Sequence, residues 1–171
     1  MPSGPLSASV ARSTATGGSG MLRARLNEAL KEAIKAKDGR RIATLRLILA
    51  ALKDRDIAAR SKGQGEGIGE DEILQMLQGM IRQRRESIEM YEKGGRPELA
   101  AQEAEEIAII EAFLPRQLDE AETAEAVRAA IAETGAQGLK DMGRVMGPLR
   151  QRYAGRMDFA QASRLVRETL G

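Results

Sequence analysis

Lys140, Gly143, Arg144 and Gly147 stand at steps of three and four residues within GAQGLKDMGRVMGPLRQRYAGRMD (135–158). On a helix turning about 100° per residue, these four share one face. Two cations beside two bare backbone positions suit a chain of phosphates. The glycines allow close approach, and the cations supply the counter-charge. Arg150, Arg152 and Arg156 continue the basic stretch. The candidate nucleic-acid-binding set is therefore Lys140, Gly143, Arg144, Gly147, Arg150, Arg152 and Arg156. A steric reading competes with it: Gly143 and Gly147 would only let another helix pack closely. Met142, Val145, Met146, Leu149 and Tyr153 fall on a different face, within about 100° of arc, and read as the buried side.

Other chemistry is narrowed by what the chain lacks. It has no His and no Cys. That removes the commonest general base, the commonest zinc ligand, thiol nucleophiles and disulfides. Carboxylates, Lys, Tyr or a Ser–Lys pair would have to carry any catalysis, and no convergent set of them stands out. The expectation is a non-enzyme with no catalytic residues, no bound metal and no cofactor. Glu103 and Glu106 lie near one another on one helix, but a carboxylate metal site in a bundle pairs such residues with an i+3 His. They read instead as a solvated acidic face. The segment SKGQGEGIG (61–69) is rich in glycine. It lacks both the spacing of a nucleotide fingerprint and a preceding strand, so it reads as a flexible linker.

The elements that must position these residues are helices. The chain has 171 residues, 42% hydrophobic and only 2% aromatic, so Leu, Ile, Val, Met and Ala must fill its core. Apolar residues recur at helical steps over 21–38, 40–60, 70–93, 97–114, 120–134, 140–153 and 159–170. Asp38-Gly39, Gly94-Gly95-Arg96-Pro97 and Gly135 punctuate them. Asp119 with Glu122, and Asp158 with Gln161, look like capped starts. No segment alternates long enough to be a strand. The expected fold is all-α: a disordered tail over 1–20, a four-helix N-terminal unit over 21–114, and a three-helix domain over 115–171. No run of 18 apolar residues is present, so no membrane span is expected. The missing Cys suits a reducing compartment, and the expected location is cytoplasmic.

The net charge is only +2, yet the charges are segregated. Residues 40–60 hold six Lys and Arg against two Asp, whereas residues 98–125 hold nine acids against Arg116 alone. This asymmetry predicts a basic surface and a separate acidic one.

Three stretches carry a resemblance: LRLILAALKDRDIAAR (45–60), RQRRESIEMYEKGGRPELAAQEAEEIAIIEAFLPRQL (82–118) and GLKDMGRVMGPL (138–149). Together they resemble the GatB/YqeY family, over almost everything but the first 20 residues. The resemblance implies a two-part helical build. Its last three helices are similar to the tail domain of the B subunit of the tRNA-dependent amidotransferase, a domain associated in the family with tRNA binding. A carbon–nitrogen ligase activity with glutamine as amido-N-donor would be inherited from the family only, because the catalytic parts of that enzyme have no counterpart here. Lys140-Asp141-Met142-Gly143 and Val145-Met146-Gly147 sit on the family's KDMG-x-VMG pattern. Pro148 departs from it, and a proline there should kink the helix or divide it in two. The expected function is a tRNA-binding accessory protein reading phosphate backbone and duplex shape. The alternative is an adaptor docking on an aminoacyl-tRNA synthetase or an amidotransferase.

Overall fold

The computed structural model describes residues 21–171, and the expected disordered tail lies outside them. Among the described residues there are seven α-helices and no strand, so the described part is all-helical as its periodicity predicts. The helices are α1 (Met21–Lys35), α2 (Gly39–Ser61), α3 (Glu70–Lys93), α4 (Pro97–Glu111), α5 (Glu120–Thr134), α6 (Met142–Arg152) and α7 (Phe159–Leu170). A single 3₁₀ turn, Leu139–Asp141, leads into α6.

Buried side chains form two clusters. The first joins α1 to α4 through Leu26, Leu45, Ile48, Ile73, Leu77, Ile110 and Phe113. The second joins α5, α6 and α7 through Val127, Ala130, Val145, Met146, Leu149, Ala162 and Val166, with Met157 from the turn before α7. Aliphatic residues at helical spacing supply both clusters, and their removal from water is the main force holding the helices together.

Two sequence expectations are corrected in the first cluster. Residues 61–69 are not a free linker throughout, because Ile68 is buried and its N–H donates to Asp56 Oδ1 at 2.9 Å. Arg23 on α1 binds both Asp56 oxygens and also donates to the Ile68 carbonyl at 2.7 Å. The backbone comes so close that a Cβ on Gly67 (φ +88°) would lie 2.3 Å from Asp56 Oδ1. Nor are Glu103 and Glu106 a solvated face. Arg84 on α3 donates to Glu106 at 2.9 Å, lies 3.9 Å from Glu103, and donates to the Met80 carbonyl. The Arg84 and Glu106 side chains are only 12% and 13% exposed. Burial and the neighbouring Glu106 push the Glu103 carboxyl above its usual range.

Polar contacts bridge the two clusters. Gln78 on α3 donates to Gln117 Oε1 at 2.9 Å and to the Met157 carbonyl at 3.1 Å. Gln117 donates to the Gly155 carbonyl, and Leu118 N–H to the Arg156 carbonyl at 2.8 Å. Gly155 (φ +75°) lets Leu74 sit where a side chain would collide. A cleft of about 630 Å³ opens beside these contacts, with Arg82 and Asp158 3.4 Å apart across it.

Candidate nucleic-acid interface

The candidate residues are positioned by α5, the turn after it and α6. Asp119 and Glu122 form the predicted capping box: Asp119 accepts from Glu122 N–H at 2.7 Å, and Glu122 accepts from Asp119 N–H at 3.1 Å. Glu122 is also gripped by Arg116, which with that backbone bond pulls its carboxyl down to about 2. Gly135 ends α5 in the left-handed conformation that a non-glycine residue adopts at a cost. Asp141 then closes the turn by accepting from Gln137 N–H at 3.0 Å, a bond that holds its carboxyl below the usual range.

Pro148 does not divide the helix. Instead the stretch is split earlier, between the 3₁₀ turn and α6, and α6 runs on through Pro148 to Arg152. The proline removes the bond to the carbonyl of Arg144, an exposed residue that water reaches. Val145, Met146 and Leu149 are buried as the periodicity predicts, and Met142 and Tyr153 pack against the same cluster.

The opposite face is open. Gly143 and Gly147 are exposed, and a Cβ built on either meets no atom within 4 Å. No helix among the described residues uses them for close packing. Lys140 and Arg150 are exposed near the two ends of this bare strip and make no ion pair among the described residues. Gln151, one turn beyond Gly147, is exposed on the same strip. It could have been found from its helical step, and its amide can donate to a phosphate oxygen.

The other candidates serve the fold. Arg144 binds Asp141 at 3.1 Å and donates to the Thr134 carbonyl at the end of α5, where a cation also meets the negative end of the helix dipole. Arg152 reaches back to Glu133 at 3.0 Å. Arg156 lies away from α6: it donates to the Arg116 carbonyl at 3.1 Å and stacks 5.9 Å from the centre of the Tyr153 ring. The strip of Lys140, Gly143, Gly147 and Arg150 is thus one surface, bordered by Arg144 and Arg152, with Arg156 outside it.

An all-helical protein with two buried clusters and a bare, cation-ended strip on its penultimate helix is the class these features define. The model of the Yqey-like protein family matches residues 23–170, and the chain belongs to that family. Similar proteins include Altered inheritance of mitochondria protein 41, mitochondrial, from Lachancea thermotolerans, 37% identical over 91 residues, which is 53% of this chain and 46% of that protein. The proteins of the same name from Eremothecium gossypii and Kluyveromyces lactis are each 33% identical, over 53% of this chain and 48% and 46% of their own lengths. The match thus spans about half the length of these curated relatives. Their names correct the expectation of a cytoplasmic location, since all of them are mitochondrial proteins. No helix among the described residues is long and apolar enough to cross a membrane.

Proposed function

We propose that this chain is a tRNA-binding accessory protein and that α6 carries the contact. One observation supports this reading above the others: Gly143 and Gly147 present bare backbone to solvent, with Lys140 in the turn before α6 and Arg150 near its end both exposed and without an ion pair among the described residues. A phosphate backbone can lie against such a strip and meet a cation near each end. Two Tyr and two Phe offer little for stacking unpaired bases, so the reading favours the shape and phosphates of a duplex stem. The resemblance to the amidotransferase tail supports tRNA as the ligand. In this reading α5 to α7 form an RNA-binding domain joined near Pro115 to a separate domain of α1 to α4, and the chain performs no chemical step. The relatives' names make a mitochondrial tRNA the first to try.

The test is binding of total tRNA by the parent chain and by Lys140→Gln with Arg150→Gln, across a salt series. Losing two phosphate contacts should weaken binding at low salt and make the salt slope shallower by about one to two. Lys31→Gln on α1, exposed and without an ion pair among the described residues, controls for loss of charge alone. Unchanged affinity and slope in the double variant would remove α6 from the RNA interface.

A further inference from the structure

The outer groove between α1 and α2, on the side away from the first cluster, carries cations and apolar residues in alternation. On α2, Ile42, Arg46, Leu49, Lys53, Ile57 and Arg60 follow one another at steps of three and four. They share one face of the helix over about 27 Å. Arg46, Lys53 and Arg60 are exposed, about 10 Å apart in succession, and make no ion pair among the described residues. On α1, Arg23, Asn27, Leu30 and Ile34 form the strip beside them, and the bond from Arg23 to Asp56 fixes that side of α1 against α2. Leu30, Ile42 and Leu49 are half-buried against the first cluster, whereas Ile34 and Ile57 are 47% and 51% exposed. Asp56, at the edge of the α2 strip, is buried and bound to Arg23. The exposed acids of the two helices, Glu28, Glu32 and Asp54, stand about 100° or more around from these strips.

We propose that this groove docks an amphipathic helix of a partner protein, one whose contact face alternates acidic and apolar side chains. A helix laid along the groove matches it by geometry. Acids seven residues apart on the partner recur every 10 Å or so, the spacing of Arg46, Lys53 and Arg60. Apolar side chains between those acids meet Ile34, Leu49 and Ile57, so charge sets the register and burial supplies the adhesion. Other occupants match less of the surface. A nucleic acid would use the three cations and leave Ile34 and Ile57 facing phosphates. A bilayer would rest on the crests of the two helices, beside which Glu28 and Asp54 stand, rather than enter the groove. Residues 1–20 hold one Arg and no acid, so they offer the cations nothing. The groove lies on α1 and α2, apart from α6, and its use does not depend on the RNA reading.

The probe is a synthetic peptide of about 21 residues, long enough to run the groove as a helix. Glu and Leu alternate at steps of three and four on one face of it, with Ala and Gln elsewhere. Titrated into the full chain, it should bind saturably, one to one, with a dissociation constant of about 1–100 µM that rises with salt. The same peptide with Lys for Glu should not bind. Arg46→Gln with Lys53→Gln should raise the dissociation constant at least about tenfold. Ile57→Gln should raise it about threefold or more while the salt dependence stays, which a contact made by charge alone would not show. The melting curve of each variant shows whether it still folds. Lys93→Gln with Arg164→Gln removes the same charge from exposed sites without an ion pair among the described residues, and binding should hold. A chain that does not bind the Glu peptide overturns the proposal. So does equal weakening in the Lys93 and Arg164 variant, or an Ile57→Gln chain that binds as the parent does. If the Arg46 and Lys53 variant instead loses binding to tRNA or to anionic vesicles while the peptide never binds, the face belongs to that occupant and the proposal falls.

Discussion

Charged residues behave differently in the two parts of the molecule. Among α1 to α4, arginines reach across to acids on other helices: Arg23 to Asp56, Arg84 to Glu103 and Glu106, Arg40 to Glu105, Arg85 to Glu111. On α6 and the turn before it, Arg144 and Arg152 reach only to the turn and helix beside them, while Lys140 and Arg150 pair with nothing among the described residues. A run of charge in a sequence can therefore describe a buried crosslink or an open surface. What separates them is burial: neighbouring helices close over the Arg84–Glu106 and Arg23–Asp56 pairs, while Lys140, Arg150 and the Arg152–Glu133 pair lie exposed. The contrast is open to attack by substitution on either side.

The largest effect should follow from Asp56→Ala. It removes the carboxylate that binds Arg23 and accepts from the Ile68 N–H, in a site where the Asp56 side chain is only 9% exposed. Removing one member of such a pair costs about 3 kcal/mol or more, measurable by denaturant unfolding. Acid should act through the same group. Hydrogen bonds from Arg23 hold the Asp56 carboxyl below its ordinary 3.8. Its contribution is therefore complete above that value and lost as pH falls through the lower folded value. Glu103 has the opposite sign: its folded value is raised, so acidification through that value favours folding. Stability measured against pH should fall below about pH 4 in the parent and fall less steeply in Asp56→Asn. An Asp56→Ala variant as stable as the parent would reduce the crosslink to a surface pair.

Next in size is Arg84→Met, which removes the cation between Glu103 and Glu106 and leaves Glu106 only Arg40, 4.0 Å away. A loss of about 2 kcal/mol is expected by the same unfolding measurement. Glu28→Gln on α1, exposed and unpaired among the described residues, should change stability by less than about 0.5 kcal/mol. Equal effects from the two changes would erase the distinction between crosslinked and solvated charge.

What the sequence discloses follows from how far each signal reaches. Periodicity and caps act within a few residues, so the helices, the buried face of α6 and the Asp119–Glu122 box are all legible. The course of the backbone at Pro148 is less so, because the break falls at the 3₁₀ turn and depends on how Asp141 closes the loop after α5. Crosslinks between helices leave no local trace. Arg84 lies 22 residues from Glu106 and Arg23 33 from Asp56, so neither the burial of Glu106 nor the anchoring of Ile68 could be read from spacing. The candidate strip was half legible for the same reason. The step from Lys140 to Gly143 and Gly147 places them on one face, but the engagement of Arg144 with the end of α5 needs the neighbouring helix in view.

The smallest change in stability, and the one that bears most directly on the open strip, should come from Gly147→Ala. A methyl group at this position meets nothing within 4 Å, so it adds no strain. Alanine also loses less backbone freedom than glycine when the helix forms, so the variant should be more stable by about 0.5–1 kcal/mol. If glycine were there for packing against an element among the described residues, the sign would be reversed. Binding should move the other way. A phosphate chain lying against the bare backbone would be held off by the new methyl, and tRNA affinity should fall while the salt slope keeps its value, since no cation is lost. This combination distinguishes steric closure of the strip from the charge loss in Lys140→Gln with Arg150→Gln, where the slope itself changes. A Gly147→Ala chain that is more stable and still binds tRNA as tightly as the parent would show that close approach at Gly147 is not part of the contact.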